Sequence, residues 1–276
     1  MQFSALLFIV FLGACASGNT YQNINEKTGF IPRTIESHPF LLTSYERVQK
    51  KSDVATIYIE GDGRAWLSKK RPSLDPTPKN PVALKLASID PADNVIYLAR
   101  PCQYTKTVDG SPCNQKYWTS HRFAPEVMDT MNAALDDIKK RHRITGINLI
   151  GFSGGGNLAA LLTAQRNDVL SLRTVAGNLD HELQSQIHDV SPMPNSLNAK
   201  DIVKRISHIP QIHFIGAQDT IIPAEIAESY AKFIKQDKKA CTQLQIIPNA
   251  SHTKGWEDKW LKLLEVETNC LAPIIP

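Results

Sequence analysis

Short apolar runs recur along this chain, separated by stretches with a different, helical spacing. The runs are Val54–Glu60 (VATIYIE), Val95–Arg100 (VIYLAR), Ile147–Gly151 (INLIG), Leu172–Gly177 (LRTVAG), Ile212–Gly216 (IHFIG) and Leu244–Ile247 (LQII). Most are continuously apolar instead of alternating, the pattern of strands covered on both faces. Between them lie helical patterns, clearest in PEVMDTMNAALDDIKKRH, where Val127, Met131, Leu135 and Ile138 fall on one face. Strands alternating with helices predict a mostly parallel central sheet with helices on both faces, an α/β fold. An early run, PFLLTSY from Pro39, is expected to add an antiparallel edge strand.

In such sheets ligands gather beyond the carboxyl ends of the strands, so the residues after each run carry the chemistry. The run ending at Gly151 continues as Gly151-Phe152-Ser153-Gly154-Gly155, a G-x-S-x-G pattern. Glycine inside a regular element costs roughly 0.5–1 kcal/mol relative to alanine, so this density needs a reason. The glycines clear space for a sharp strand-to-helix turn that exposes the Ser153 hydroxyl, and the following helix points its amides at the same place. No G-K-[ST] follows, which excludes a phosphate-binding P-loop.

A serine is a weak nucleophile until a base, itself oriented by a carboxylate, activates it. Asp219, in IHFIGAQDTIIP, follows one strand, and His252, in LQIIPNASHTKGW, follows the next. Asp180, in TVAGNLDH, also follows a strand and is the rival acid; with Asp219 in that role, Asp180 becomes a loop residue or a substrate contact. A tetrahedral intermediate needs amide donors. One is the N–H of Gly154; the other is expected from YIEGDGRAW, where Gly61 and Gly63 let the backbone approach and Asp62 presents its N–H. Trp66 and Trp118 are candidate apolar walls of the pocket, with core packing as the alternative for each, and His121 is a candidate pocket liner.

Glycine loop, serine motif, acid and histidine, in that order from about Val54 to Leu264, resemble the α/β-hydrolase superfamily. The resemblance implies an α/β-hydrolase fold and a serine hydrolase in which Ser153 attacks a carbonyl, His252 moves the proton, Asp219 fixes the imidazole, and Gly154 and Asp62 hold the oxyanion. It implies no cofactor and no metal. The sequence departs from many esterases in carrying EGDG where they carry H-G-G-G or H-G-x-G, with Glu60 in place of the histidine. Only the segment ELQSQIHDVSPMPNSLNAKDIVKRISH and the next strand separate AGNLDH from Asp219, so any cap is small. The expected reaction is hydrolysis of short-chain carboxylic esters through an acyl-enzyme. A peptidase or amidase on the same scaffold, or a non-catalytic binding scaffold, are the alternatives.

Composition adds the setting. With 276 residues, 42% hydrophobic and 21% charged, the chain suits one globular domain, and a net charge of +4 spread along it gives no nucleic-acid surface. The apolar stretch Ser4–Cys15, SALLFIVFLGAC, is too short to span a hydrocarbon core of about 30 Å but has the length of a signal-peptide core. Its end, Leu12-Gly13-Ala14-Cys15, resembles the lipobox of bacterial lipoproteins, although MQF carries no lysine or arginine. The resemblance implies a signal peptide over 1–14, a lipidated Cys15 with a polar tether over 15–29, and a hydrolase domain over 30–276. It implies membrane attachment through that lipid in a bacterial cell envelope, at the outer membrane facing the periplasm because Ala16 and Ser17 follow the cysteine. An ordinary secretory signal is the alternative. Export leaves Cys102, Cys113, Cys241 and Cys270 as disulfide candidates, with three pairings open. No C-x-x-C or H-x-x-x-H spacing points to zinc. Nothing in the pattern specifies an oligomeric state.

Overall fold

The computed structural model describes residues 28–49, 51–105, 112–234 and 240–268. Among these, the main sheet is built from β1 (Ile31–Ser37), β2 (Phe40–Val48), β3 (Val54–Ile59), β6 (Asn94–Leu98), β7 (Gly146–Phe152), β8 (Val169–Val175), β9 (Gln211–Gly216) and β10 (Thr242–Ile247). Their order is β1-β2-β6-β3-β7-β8-β9-β10. Neighbours from β6 to β10 run parallel, whereas β2 is antiparallel to both β1 and β6. A separate hairpin pairs β4 (Trp66–Ser68) with β5 (Arg71–Pro72).

Every one of the six expected parallel runs is a strand, with ends shifted by up to three residues. The antiparallel strand begins at Phe40 as expected, but β1 outflanks it and forms the edge. The first four residues of β1 are exposed, so no apolar run announces it. Its Pro32 is tolerated because an edge strand has one side without partners.

Side chains alternate across the sheet. Ile57, Ile59, Leu149 and Ile215 point to the face covered by α2 (Pro125–His142), α3 (Gly154–Gln165) and α6 (Ala224–Lys232). Tyr58, Ile150 and Phe214 point to the opposite face, against α1 (Val82–Ile89) and α7 (Trp260–Leu264). Two short helices, α4 (His181–Ile187) and α5 (Ala199–Ile202), fall between β8 and β9. The stripe read from the sequence of α2 is the buried one: Val127, Met131, Leu135 and Ile138 are fully buried, each contributing about 1.5–3 kcal/mol relative to exposure. Pro125 opens the helix at a position with no bond to lose, and Arg143 ends it in the left-handed conformation at φ 56°.

Cys102 and Cys113 form a disulfide with Cα atoms 5.5 Å apart. Cys241 is also disulfide-bonded, while Cys15, Cys270, the signal-peptide segment and nearly all of the tether lie outside the described residues. Replacing Cys102 and Cys113 together by serine is expected to cost about 2–4 kcal/mol of stability, read as a lowered melting temperature against wild type under non-reducing conditions. The parallel arrangement brings the carboxyl ends of β3, β7, β8, β9 and β10 to one edge of the sheet, where the connecting loops meet.

Candidate active site

Ser153 stands between β7 and α3 at φ 51° and ψ −122°, a strained conformation for a residue with a side chain. The elbow is held on both sides: Ser153 N donates to Val175 O at 3.0 Å, and Ser153 O accepts from Gly156 N and Asn178 N at 2.9 Å each. The surrounding glycines are required by close approach. A methyl group at Gly155 would collide with the carbonyl oxygens of Ile59 and Glu60, and one at Gly154 with the carboxylate of Asp62. The turn can therefore be sharp only because α3 begins with glycines that let its backbone touch the end of β3.

Asp219 and His252 meet across two loops. Asp219 Oδ1 accepts from the amides of Ile221 and Ile222, both at 2.9 Å, while its Oδ2 lies 2.9 Å from His252 Nδ1. A carboxylate only accepts, so Nδ1 carries the proton and donates, which leaves the lone pair of His252 on Nε2. Trp256 Nε1 donates to the carbonyls of Ser251 and His252 at 2.9 and 3.2 Å, and the Phe152 ring sits 5.1 Å from the imidazole. Both contacts fix the histidine loop. Ser153 and His252 line one cleft. Among the described residues no hydrogen bond joins the Ser153 hydroxyl to His252, a contact that commonly closes only in the substrate complex.

The loop after β3 is pinned by buried charge. Asp62 forms ion pairs with Arg100 and Arg122, the latter at 2.5 Å. Arg100 also donates to Arg122 O at 2.5 Å, and Gln103 ties Gly61 O to Arg100 N through its side chain at 2.9 and 3.2 Å. Burial pushes the Asp62 carboxyl upward, but the guanidinium groups of Arg122 and Arg100 outweigh it and hold the group below its ordinary range. One carboxylate between two arginines leaves net positive charge beside Ser153. The N–H groups of Asp62 and Gly154 have no acceptor among the described residues, so both are free to donate to a ligand.

Glu60 lies beneath this loop, accepting from Gly61 N at 2.9 Å and Tyr97 Oη at 3.2 Å. Complete burial pushes its carboxyl up from 4.5 to about 7, despite further bonds from the Ala83 and Leu84 amides at the start of α1. An acid raised in the folded state stabilises fully below its unfolded value, and that contribution is lost as pH climbs from about 4.5 to about 7, amounting to ~3 kcal/mol. Urea unfolding of Glu60→Gln beside wild type is expected to show the variant gaining relative stability across that window, with no divergence below it.

The cleft has a volume of about 470 Å³ and is lined by Phe152, Ile221, Ile222 and Trp66 on its apolar side. Gly63 lines it too, whereas Gly61 packs behind, against Phe152 and Ser153. Two expectations are corrected. Trp118 is a core residue: it is buried with Phe40, Ala65 and Cys102 and donates its Nε1 to Ser73 O at 3.1 Å. Asp180 does not line the cleft: it is 1% exposed and accepts from Leu183 N, Asn198, Lys200 and Ser229, capping α4. His121 bonds Ser120 at 2.8 Å, and its neighbour Arg122 reaches the cleft instead. Arg100 was missed although it follows a strand, the signal that singled out Ser153 and Asp219; Asn178, in a loop, and Gln184, in the short helix α4, were missed because no pattern marks a polar residue at such positions.

Residues 85–253 match the family model described as "Serine hydrolase (FSH1)". Ser153, Asp219 and His252 fall inside the match, and the Asp62 loop precedes it. No curated protein sequence matches the chain significantly. Among solved structures, the fold is similar to an esterase from Pyrococcus furiosus at TM-score 0.61 and 14% identity, covering 87% of this chain and 92% of that one. Est1E from Butyrivibrio proteoclasticus is similar at TM-score 0.59 and 14% identity, with 85% and 96% covered. The acylaminoacyl peptidase from Pyrococcus horikoshii is similar at TM-score 0.62 and 11% identity, with 93% of this chain and 45% of that chain covered.

Proposed function

The chain belongs to the FSH1 serine hydrolase family, and we propose that it hydrolyses short-chain carboxylic esters through Ser153, His252 and Asp219. The observation that carries the reading is the strained Ser153 elbow sharing one cleft with the Asp219–His252 pair. Ser153 Oγ attacks the ester carbonyl while His252 Nε2 takes its proton, and Asp219 stabilises the imidazolium through Nδ1–H. The carbonyl oxygen, now negative, accepts from the N–H groups of Gly154 and Asp62, with the Asp62–Arg100–Arg122 cluster adding favourable positive potential. Collapse expels the alcohol, which receives the proton from His252 and leaves an acyl-serine. Water, deprotonated by the same imidazole, attacks that ester, and release of the acid restores the serine. Every step uses side chains or amides of this chain.

An ester's alkoxide or phenoxide leaves more readily than an amine, and the small cap leaves no extended surface to select a peptide. Measurement of kcat/KM on p-nitrophenyl acetate and butyrate, on long-chain esters and on a peptide-amide panel is expected to rank the short esters first. A higher value on amides would favour a peptidase, and no turnover on any of them would favour a binding scaffold. Asp219→Asn is expected to lower turnover far more than Asp180→Asn, because only Asp219 holds His252.

The same proposal places the enzyme on a lipid-modified Cys15 at the outer membrane, facing the periplasm, and is supported by Leu12-Gly13-Ala14-Cys15 and by the disulfide, which suits an oxidising compartment. Cys15→Ser is expected to remove the chain from the lipoprotein fraction. Metabolic labelling with a fatty-acid analogue that fails to mark wild type would contradict the anchor.

A further inference from the structure

The charges lining the cleft are unequal in a way that the ester reaction does not use. Its two acids are already engaged: Glu60 is buried beneath the loop, and Asp62 is neutralised by Arg100 and Arg122. Arg64 and Lys79 also line it; both are exposed, and neither side chain has a carboxylate partner among the described residues. Both belong to the segment that follows β3. Sheet order puts β3 on one side of β7 and β8 on the other, so these cations flank Ser153 from a single side.

The opposite wall, contributed by the segment after β8, is also polar. Asn178 is 2% exposed and lines the cleft, yet among the described residues its Oδ1 has no hydrogen-bond partner, and neither does Oε1 of Gln184, which also lines it. An unpartnered buried amide oxygen costs stability unless a ligand supplies a donor. A cleft built for a plain alkyl chain would line this wall with apolar side chains.

We propose that the physiological substrate is an acidic ester, with a carboxylate or phosphate group held by Arg64 and Lys79 on the β3 side of the scissile bond. This rests on the esterase reading and narrows it to a substrate class. Cations at the mouth of a low-dielectric cleft also raise the local concentration of an anion, an effect of about 10-fold or more that falls with ionic strength.

The test compares 4-acetoxybenzoate with methyl 4-acetoxybenzoate, each kcat/KM divided by the ester's own hydroxide-catalysed rate to remove the difference in leaving group. A second pair, phenyl hydrogen adipate against phenyl heptanoate, moves the charge to the acyl side, and 4-acetoxyphenyl phosphate replaces carboxylate by phosphate. Wild type is expected to favour the charged member of at least one pair by about tenfold at low salt, and the ratio is expected to fall towards one in Arg64→Gln/Lys79→Gln. Equilibrium dialysis of 4-acetoxybenzoate and its methyl ester against the full chain carrying Ser153→Ala measures the same preference without turnover, so a failed esterase reading leaves the anion site testable. Equal binding and equal normalised rates for charged and neutral esters would overturn the proposal. So would a preference that survives the double substitution.

Discussion

Ser153→Ala is expected to lower kcat on p-nitrophenyl butyrate by a factor on the order of 10⁴ to 10⁶, with circular dichroism and melting temperature close to wild type. No other hydroxyl stands at the elbow, and in the proposed mechanism the amides of Gly154 and Asp62 supply only the residual acceleration that oxyanion binding gives alone. His252→Ala is expected to fall within the same range, and the double variant to be little worse than either single one, because nucleophile and base act as a unit. Stability is expected to stay level or rise slightly in Ser153→Gly, which relieves the positive φ of the serine.

The second large effect concerns the Asp62 cluster and falls on folding. Asp62→Ala would leave Arg100, 3% exposed, without its carboxylate and facing the guanidinium of Arg122. Breaking a buried pair from one side costs about 3–5 kcal/mol, a large part of the roughly 5–15 kcal/mol that keeps a domain folded. The expected outcome is a marked drop in urea midpoint, or failure to accumulate as soluble protein. Asp62→Asn keeps the volume and one acceptor, and is expected to fold while losing turnover through kcat more than KM, because the displaced loop carries the amide proposed to hold the oxyanion in the transition state. A wild-type kcat in Asp62→Asn would remove the side chain from any positioning role.

The parallel strands were legible because burial on both faces writes itself as continuous apolar runs, and α2 because its buried stripe repeats at helical spacing. β1 was not, since an edge strand with four exposed residues needs no such run. Ser153, Asp219 and His252 could be singled out by a local rule, the position just past a strand end. The same rule reaches Asp62 and Arg100 but not their pairing: Arg100 and Arg122 lie 38 and 60 residues from Asp62, and only the fold brings the three together. Asp180 shows the limit of the same rule, as it follows an apolar run yet turns inward to cap a helix, while Trp118, well beyond the end of β6, fills the layer beside the disulfide.

Reaction of the intact chain with a fluorophosphonate, followed by peptide mass mapping, tests the central claim most directly. The account predicts one adduct per chain, on Ser153, and its loss when the protein is first incubated with a slowly deacylating ester. An adduct on a different residue, or none from folded protein that turns over esters, would contradict it.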